Sequence, residues 1–179
     1  MEMEKVILVD RYDNPVGEAG KMEAHQVGSL HRAFSVFIFN EKGEMLLQQR
    51  ALCKYHSGGL WTNACCSHPS PGEETVDAVQ RRLMEELGIT VTVEKVFDFL
   101  YKAEFDNGLT EHEFDHVFVG RFDGTIELNK AEVMDICYKT PAEISESLQT
   151  HPHKYSAWFR IAFPMLESWR KNSLNYRVA

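Results

Sequence analysis

The chain has no uninterrupted apolar run near the ~20 residues that a bilayer-spanning helix needs, so no membrane partner is expected. It is also short of positive charge. Nineteen Lys and Arg stand against 27 Asp and Glu, a formal net charge of −8. That balance argues against general nucleic-acid binding. It also means that an anionic substrate must be met by a local basic cluster or by metal ions. Cysteines are few: Cys53, Cys65, Cys66 and Cys137. Residues 1–10 are mixed with charge and do not read as a secretory signal, so free thiols in a reducing cytoplasm are expected. The vicinal pair Cys65-Cys66 is a poor disulfide staple and a better candidate for chemistry or burial. There is no internal repeat, low-complexity tract or linker, and 179 residues fit one domain, 1–179. A hydrophobic content of 44% is enough for an ordinary core.

What is present centres on residues 61–89. A Cys-rich turn ends in His68-Pro69 and leads into a helix. Pro71 and Gly72 precede the helix, Glu73, Glu74 and Asp77 sit in its first turns, and Gly88 ends it. Val76, Val79, Leu83 and Leu87 define one apolar face, leaving Arg81, Arg82, Glu85 and Glu86 to project from the others. Such Arg–Glu spacing also suits ordinary surface pairs at i, i+4.

Around this centre, residues 5–9 read as a strand, followed by a turn at Asp13-Asn14-Pro15 and Gly17. Residues 21–25 read as a short helix, interrupted by Gly28. Strands are expected at 33–39 and 45–50, joined by a hairpin turn. One or two strands are expected within 89–105, then one at 110–122 and one at 132–138. Helices are expected at 141–149 and 155–171, the second holding Pro164 as a possible kink. This order suggests an α+β sandwich of mixed sheet and flanking helices.

Among eight histidines, His25, His31 and His68 lie near predicted element ends, and Glu111-His112-Glu113 lies on a strand. Strand residues i and i+2 share a face, so Glu111 and Glu113 point together while His112 points away. Three imidazoles and two carboxylates suit zinc, manganese or another first-row divalent ion. Taken singly, each histidine reads as surface or satisfied core.

The spacing Glu73-x7-Arg81 followed by Leu83-Met84-Glu85-Glu86-Leu87-Gly88-Ile89 resembles the Nudix box, at about 67–89. Ser67 stands where the box has its first glycine, and Arg82 where it has a glutamate. A site that exchanges a metal-binding carboxylate for a guanidinium should hold a diphosphate rather than cleave it. The wider set is Lys21-x3-His25-x5-His31, Arg50-Ala51-x2-Lys54, Trp61-Thr62-Asn63-x2-Cys66-x-His68-Pro69, Arg82-x3-Glu86-Leu87-Gly88, Tyr101, Glu111-x-Glu113 and Ser156-x-Trp158. Together these resemble the type 1 isopentenyl-diphosphate isomerases, a Nudix-fold family.

The resemblance implies a Nudix-like α/β/α sandwich and reversible conversion of isopentenyl diphosphate to dimethylallyl diphosphate. It implies Cys66 and Glu113 flanking the alkene, Tyr101 relaying a proton, and Trp158 covering the hydrocarbon. Lys21, Arg50, Lys54 and Arg82 would hold the diphosphate. His25, His31, His68, Glu111 and Glu113 would hold Mn²⁺, Zn²⁺ or Mg²⁺. A second Mg²⁺ would bridge the phosphates near Glu86. Cys65 should be a small buried hydrophobe facing away from Cys66. A monomer or weak homodimer is expected. A metal-dependent Nudix hydrolase and a non-catalytic binding module remain alternatives. Arg82 opposes the first, and the full acid–base–metal set opposes the second.

Overall fold

In the computed structural model, residues 4–176 are described; residues 1–3 and 177–179, the ends of the expected domain, lie outside them. The chain runs β1 (Lys5–Val9), β2 (Pro15–Gly20), α1 (Lys21–Val27), β3 (His31–Phe39), β4 (Met45–Arg50), β5 (Trp61–Thr62), β6 (Cys65–Ser67), α2 (Thr75–Leu87), β7 (Val93–Glu104), β8 (Thr110–Arg121), β9 (Val133–Lys139), α3 (Pro141–Thr150) and α4 (Ala157–Tyr176). The strands form one mixed sheet centred on β3. Along one edge β3 pairs antiparallel with β1, β6 and β4; along the other it pairs parallel with β8 from His31↔Glu113 to Phe39↔Arg121.

β3 is buried on both faces, and its alternation divides the core. Phe34, Val36 and Ile38 pack with Ala78, Val79, Leu83 and Leu87 of α2. Phe37 and Phe39 pack with Ile144 of α3 and Phe159, Ala162, Phe163 and Leu166 of α4. The result is the expected α/β/α sandwich, with apolar side chains on both sides of its central strand.

Several local expectations are corrected. Val76 does not join the apolar face of α2; it is 45% exposed, and Ala78 takes the buried position. Glu86, expected on an outer face, is 3% exposed. Its burial is offset by Arg82 Nη2 at 2.6 Å and Gln48 Nε2 at 3.0 Å. Pro15 and Gly17 are strand residues of β2, on a strand exposed enough to tolerate proline. Residues 93–104 form one strand. Pro164 does not split α4: it lies on the exposed side of the helix, as does Arg160, whose carbonyl loses its intrahelical donor. Gly88 ends α2 at φ 65°, and a Cβ there would sit 3.0 Å from the Glu127 Cβ. α3 starts on a full capping box, Thr140 with Glu143, behind Pro141.

Candidate active site

The start of β3 fixes one wall of the site. His31 lies opposite Glu113 in the β3–β8 register, and Ser35 lies opposite Cys66 in the β3–β6 register. Cys66 and Glu113 therefore hang from strands on opposite edges of β3. The turn between β5 and β6 is held by Asn63, which is fully buried. Its amide donates to the carbonyls of Val36 (3.2 Å) and Cys65 (2.6 Å). Its oxygen accepts from the Trp158 indole (3.2 Å) and the Thr62 hydroxyl (2.8 Å). Ser156 donates to Thr62 at 3.0 Å. The segments Trp61-Thr62-Asn63 and Ser156-x-Trp158, remote in sequence, are thus direct partners. On β6, Cys65 faces the α2 side and Cys66 the α4 side.

His25, His31, His68 and Glu113 converge, all buried, with one donor atom from each within 4.8 Å of the others. The Nδ1 of His25 lies 2.7 Å from the Lys21 carbonyl, and that of His31 lies 2.8 Å from the Ser29 carbonyl. A carbonyl only accepts, so both Nδ1 atoms carry the proton in the neutral rings and both Nε2 atoms are left as acceptors, with the Tyr55 hydroxyl 3.5 Å from that of His25. The Nε2 atoms of His31 and His68 are 3.2 Å apart, and Glu113 Oε1 is 2.9 Å from His68 Nε2. Converging nitrogen and oxygen donors, with carbonyls fixing the His25 and His31 rings, fit a divalent cation. Burial pushes His25 down, and it pushes His68 down to about 4 against the opposing pull of Glu113, so both stay neutral ligands at pH 7.

Glu111 and Glu113 do share a face, as the strand period requires, and both are buried. Glu111 falls in a second donor group with His25 and His56 rather than in the four-residue cluster. The Tyr101 hydroxyl joins the two carboxyls, 2.6 Å from Glu113 and 3.0 Å from Glu111. One hydroxyl can donate only once. The chain is satisfied when Glu111 is protonated and donates to Tyr101, which donates to ionised Glu113. Burial and the neighbouring Glu113 charge raise Glu111 well above the carboxylate range. Glu113 is held well below it: burial opposes ionisation, and contacts with His31 and His68 outweigh that.

One solvent-open cleft is lined by Lys21, Arg50, Lys54, Arg82, Cys66, His68, Glu111, Glu113 and Trp158. Arg50 lies 5.1 Å from the Trp158 ring and reaches Cys66 Sγ at 3.9 Å. Burial pushes the Cys66 thiol up to about 12, with Arg50 opposing and nearby carboxylates adding. Lys21 pairs with Glu4 at 3.2 Å, and Lys54 pairs with Glu132. Arg82 pairs with Glu85 and Glu86 at 2.6 Å and with Glu132 at 3.1 Å. Glu86 does not join the imidazole cluster; its oxygens are taken up by Arg82 and Gln48. Glu73 and Arg81 of the box make a two-bond pair, 2.8 Å each, while Glu73 also accepts from the Ser70 amide. That arrangement fastens the loop to the helix.

Sequence reasoning missed His56 and Glu132. His56 is 6% exposed, with its Nε2 3.2 Å from Glu111 and its ring stacked 4.8 Å from Phe105. The tight loop that delivers it leaves no room at Gly58, where a Cβ would meet the Leu52 carbonyl at 2.8 Å. The Gly58-Gly59 pair was the available signal.

The NUDIX domain family model matches residues 29–159. Isopentenyl-diphosphate Delta-isomerase 2 of Aromatoleum aromaticum is 49% identical over 172 residues, covering 96% of this chain and 90% of that protein. The chain belongs to the type 1 isopentenyl-diphosphate Delta-isomerase family, within the Nudix fold. Isopentenyl-diphosphate Delta-isomerase of Pectobacterium atrosepticum, another member, is 46% identical and covers 94% of each chain. The crystal structure of DR0079 from Deinococcus radiodurans shares the fold, with a TM-score of 0.76 at 16% identity over 90% of this chain and 98% of that one.

Proposed function

We propose that this chain interconverts isopentenyl diphosphate and dimethylallyl diphosphate by a 1,3-allylic proton shift. The observation that carries the reading is one cleft shared by a thiol, a carboxyl pair bridged by tyrosine, an indole and four cations. Adding a proton to the terminal alkene carbon leaves a tertiary carbocation at the branched carbon. Removing a proton from the carbon on the other side gives the internal alkene. One proton enters and one leaves, so no redox partner is required. The chemistry needs an acid and a base around a dry hydrocarbon slot.

Cys66 and Glu113 are the residues we assign to these transfers. At neutral pH the thiol, pushed up to about 12 by burial, holds its proton, while Glu113 is ionised. Tyr101 connects Glu113 to the protonated Glu111, so a proton taken by one carboxyl can be balanced along the pair. The Trp158 ring supplies a π-face for the transient cation, an attraction of about 0.5–2 kcal/mol. Lys21, Arg50, Lys54 and Arg82 orient the diphosphate.

His25, His31, His68 and Glu113, with Glu111 alongside, are the residues we assign to Mn²⁺, Zn²⁺ or Mg²⁺. Such an ion, when bound, fixes the Glu113 carboxyl and tunes its basicity. We assign Glu86 to a Mg²⁺ that accompanies the diphosphate, an ion that would take over an oxygen now held by Arg82 or Gln48. We further read the chain as a single catalytic domain working in the cytoplasm as a monomer or weak homodimer, with no nucleic-acid or membrane partner. The net charge of −8 supports the part of that reading that concerns nucleic acid.

Turnover of isopentenyl diphosphate, followed with and without a chelator, tests the proposal. Chelator-sensitive formation of dimethylallyl diphosphate is expected; release of phosphate instead would favour a hydrolase.

A further inference from the structure

We propose that Glu132 is a positioning residue of the diphosphate subsite, holding Lys54 and Arg82 side by side for one anion. Glu132 stands immediately before β9 and does not line the cleft. Its Oε2 accepts from the Lys54 ammonium and, at 3.1 Å, from Arg82 Nη2. These cations come from unrelated segments, one in the loop after β4 and the other on α2. Among the described residues, Lys54 has no other ion pair. Without the carboxylate, two like charges would face each other, and the lysine stem would be free to turn into solvent.

The main chain at Glu132 strengthens the same junction. Its carbonyl accepts the Ala51 amide at 3.0 Å, at the root of the loop that carries Lys54. Its amide donates to Asn129 at 2.9 Å, and the Asn129 amide donates to Glu86 of α2 at 3.0 Å. Residues 129–132 thus tie the end of α2 to the loop by backbone, while the Glu132 side chain ties together the cations that each presents. The Lys54 ammonium has three donors and spends one on Glu132; the Arg82 guanidinium has five and spends three on Glu85, Glu86 and Glu132, so both keep donors for phosphate oxygens. The carboxyl sits below its ordinary range because the two cations outweigh the opposing effect of burial.

The inference rests on the isomerase reading only for the identity of the substrate. Inorganic pyrophosphate tests the cation pair by itself. In calorimetric titrations of the full chain, Glu132→Gln should weaken pyrophosphate binding about tenfold, or about 1.4 kcal/mol. The KM for isopentenyl diphosphate should rise by about the same factor, with kcat within about twofold. Glu132→Asp should recover part of the loss. Lys54→Met should weaken binding comparably, and the double variant should be no weaker than either single one. Glu94→Gln, an exposed carboxylate on β7, is the control. Unchanged pyrophosphate affinity in Glu132→Gln would overturn the proposal. So would tighter binding, which would make Glu132 a competitor of the diphosphate. If Glu132→Gln does not fold, Glu132→Ala carries the comparison, and wild-type affinity in it overturns the proposal. Wild-type protein that binds pyrophosphate through Glu132 but turns over no isopentenyl diphosphate would sink the isomerase reading alone.

Discussion

Replacing Arg82 by methionine tests how the departure from the Nudix box is built into the fold. The guanidinium serves Glu85, Glu86 and Glu132, and its side chain is 16% exposed, whereas that of Glu86 is 4% exposed. Methionine keeps most of the stem packing and removes the charge. Glu86 is then left inside the protein with Gln48 Nε2, at 3.0 Å, as its remaining hydrogen-bond donor. Removing one partner of a buried pair costs about 3–5 kcal/mol, and the Gln48 bond puts this case near about 3. For a domain of this size, each kcal/mol lowers the melting midpoint by about 2–4 °C, so a drop of about 6–12 °C is expected. Thermal unfolding followed by circular dichroism reads it. Adding Glu86→Gln removes the stranded charge and should restore most of the loss, with a coupling above about 1.5 kcal/mol. A midpoint within about 2 °C of wild type, or strictly additive single variants, would refute the reasoning. Arg82→Glu, which restores the Nudix pattern at that position, should be worse: it gathers four carboxylates and should also weaken pyrophosphate binding.

Cys66→Ala should lower turnover by about 10²–10⁴-fold, the range for a lost acid–base group, while leaving the melting midpoint and metal content near wild type; substantial residual activity would remove Cys66 from its role. Glu113→Gln should reduce both metal content, read by elemental analysis, and turnover, and unchanged metal content would argue against the carboxylate as a ligand. Leu83→Ala, at a fully buried position of α2, should cost about 2–5 kcal/mol in denaturant unfolding with KM preserved in the folded protein; a cost below about 1 kcal/mol would contradict the packing described.

The layers of this fold were largely legible in the sequence because β3 is apolar from Ala33 to Phe39 apart from Ser35 and because Val79, Leu83 and Leu87 keep a helical period. Val76 misled because it belongs to the first turn, beyond the sheet's cover. Glu86 misled because a carboxylate reads as exposed until its partners are known, and Gln48 lies 38 residues away. The Glu-x-Glu pair was readable from strand parity. The bridge made by Tyr101 was not, since it depends on the β7–β8 register. Glu132 was hidden because a carboxylate before a strand carries no pattern; the Gly58-Gly59 pair marked a tight loop near His56, but only the tertiary structure places that histidine beside Glu111 and Glu132 beside the Lys54–Arg82 pair. Trp158 and Asn63 matched a family spacing, but their hydrogen bond is what explains why the two segments belong together.

The most direct test of the central claim is to incubate the metal-loaded protein with isopentenyl diphosphate in D₂O and analyse substrate and product by NMR and mass spectrometry. The account predicts dimethylallyl diphosphate carrying solvent deuterium on carbon, with the diphosphate intact. Deuterium-free product, or release of phosphate from an unrearranged alkene, would contradict it.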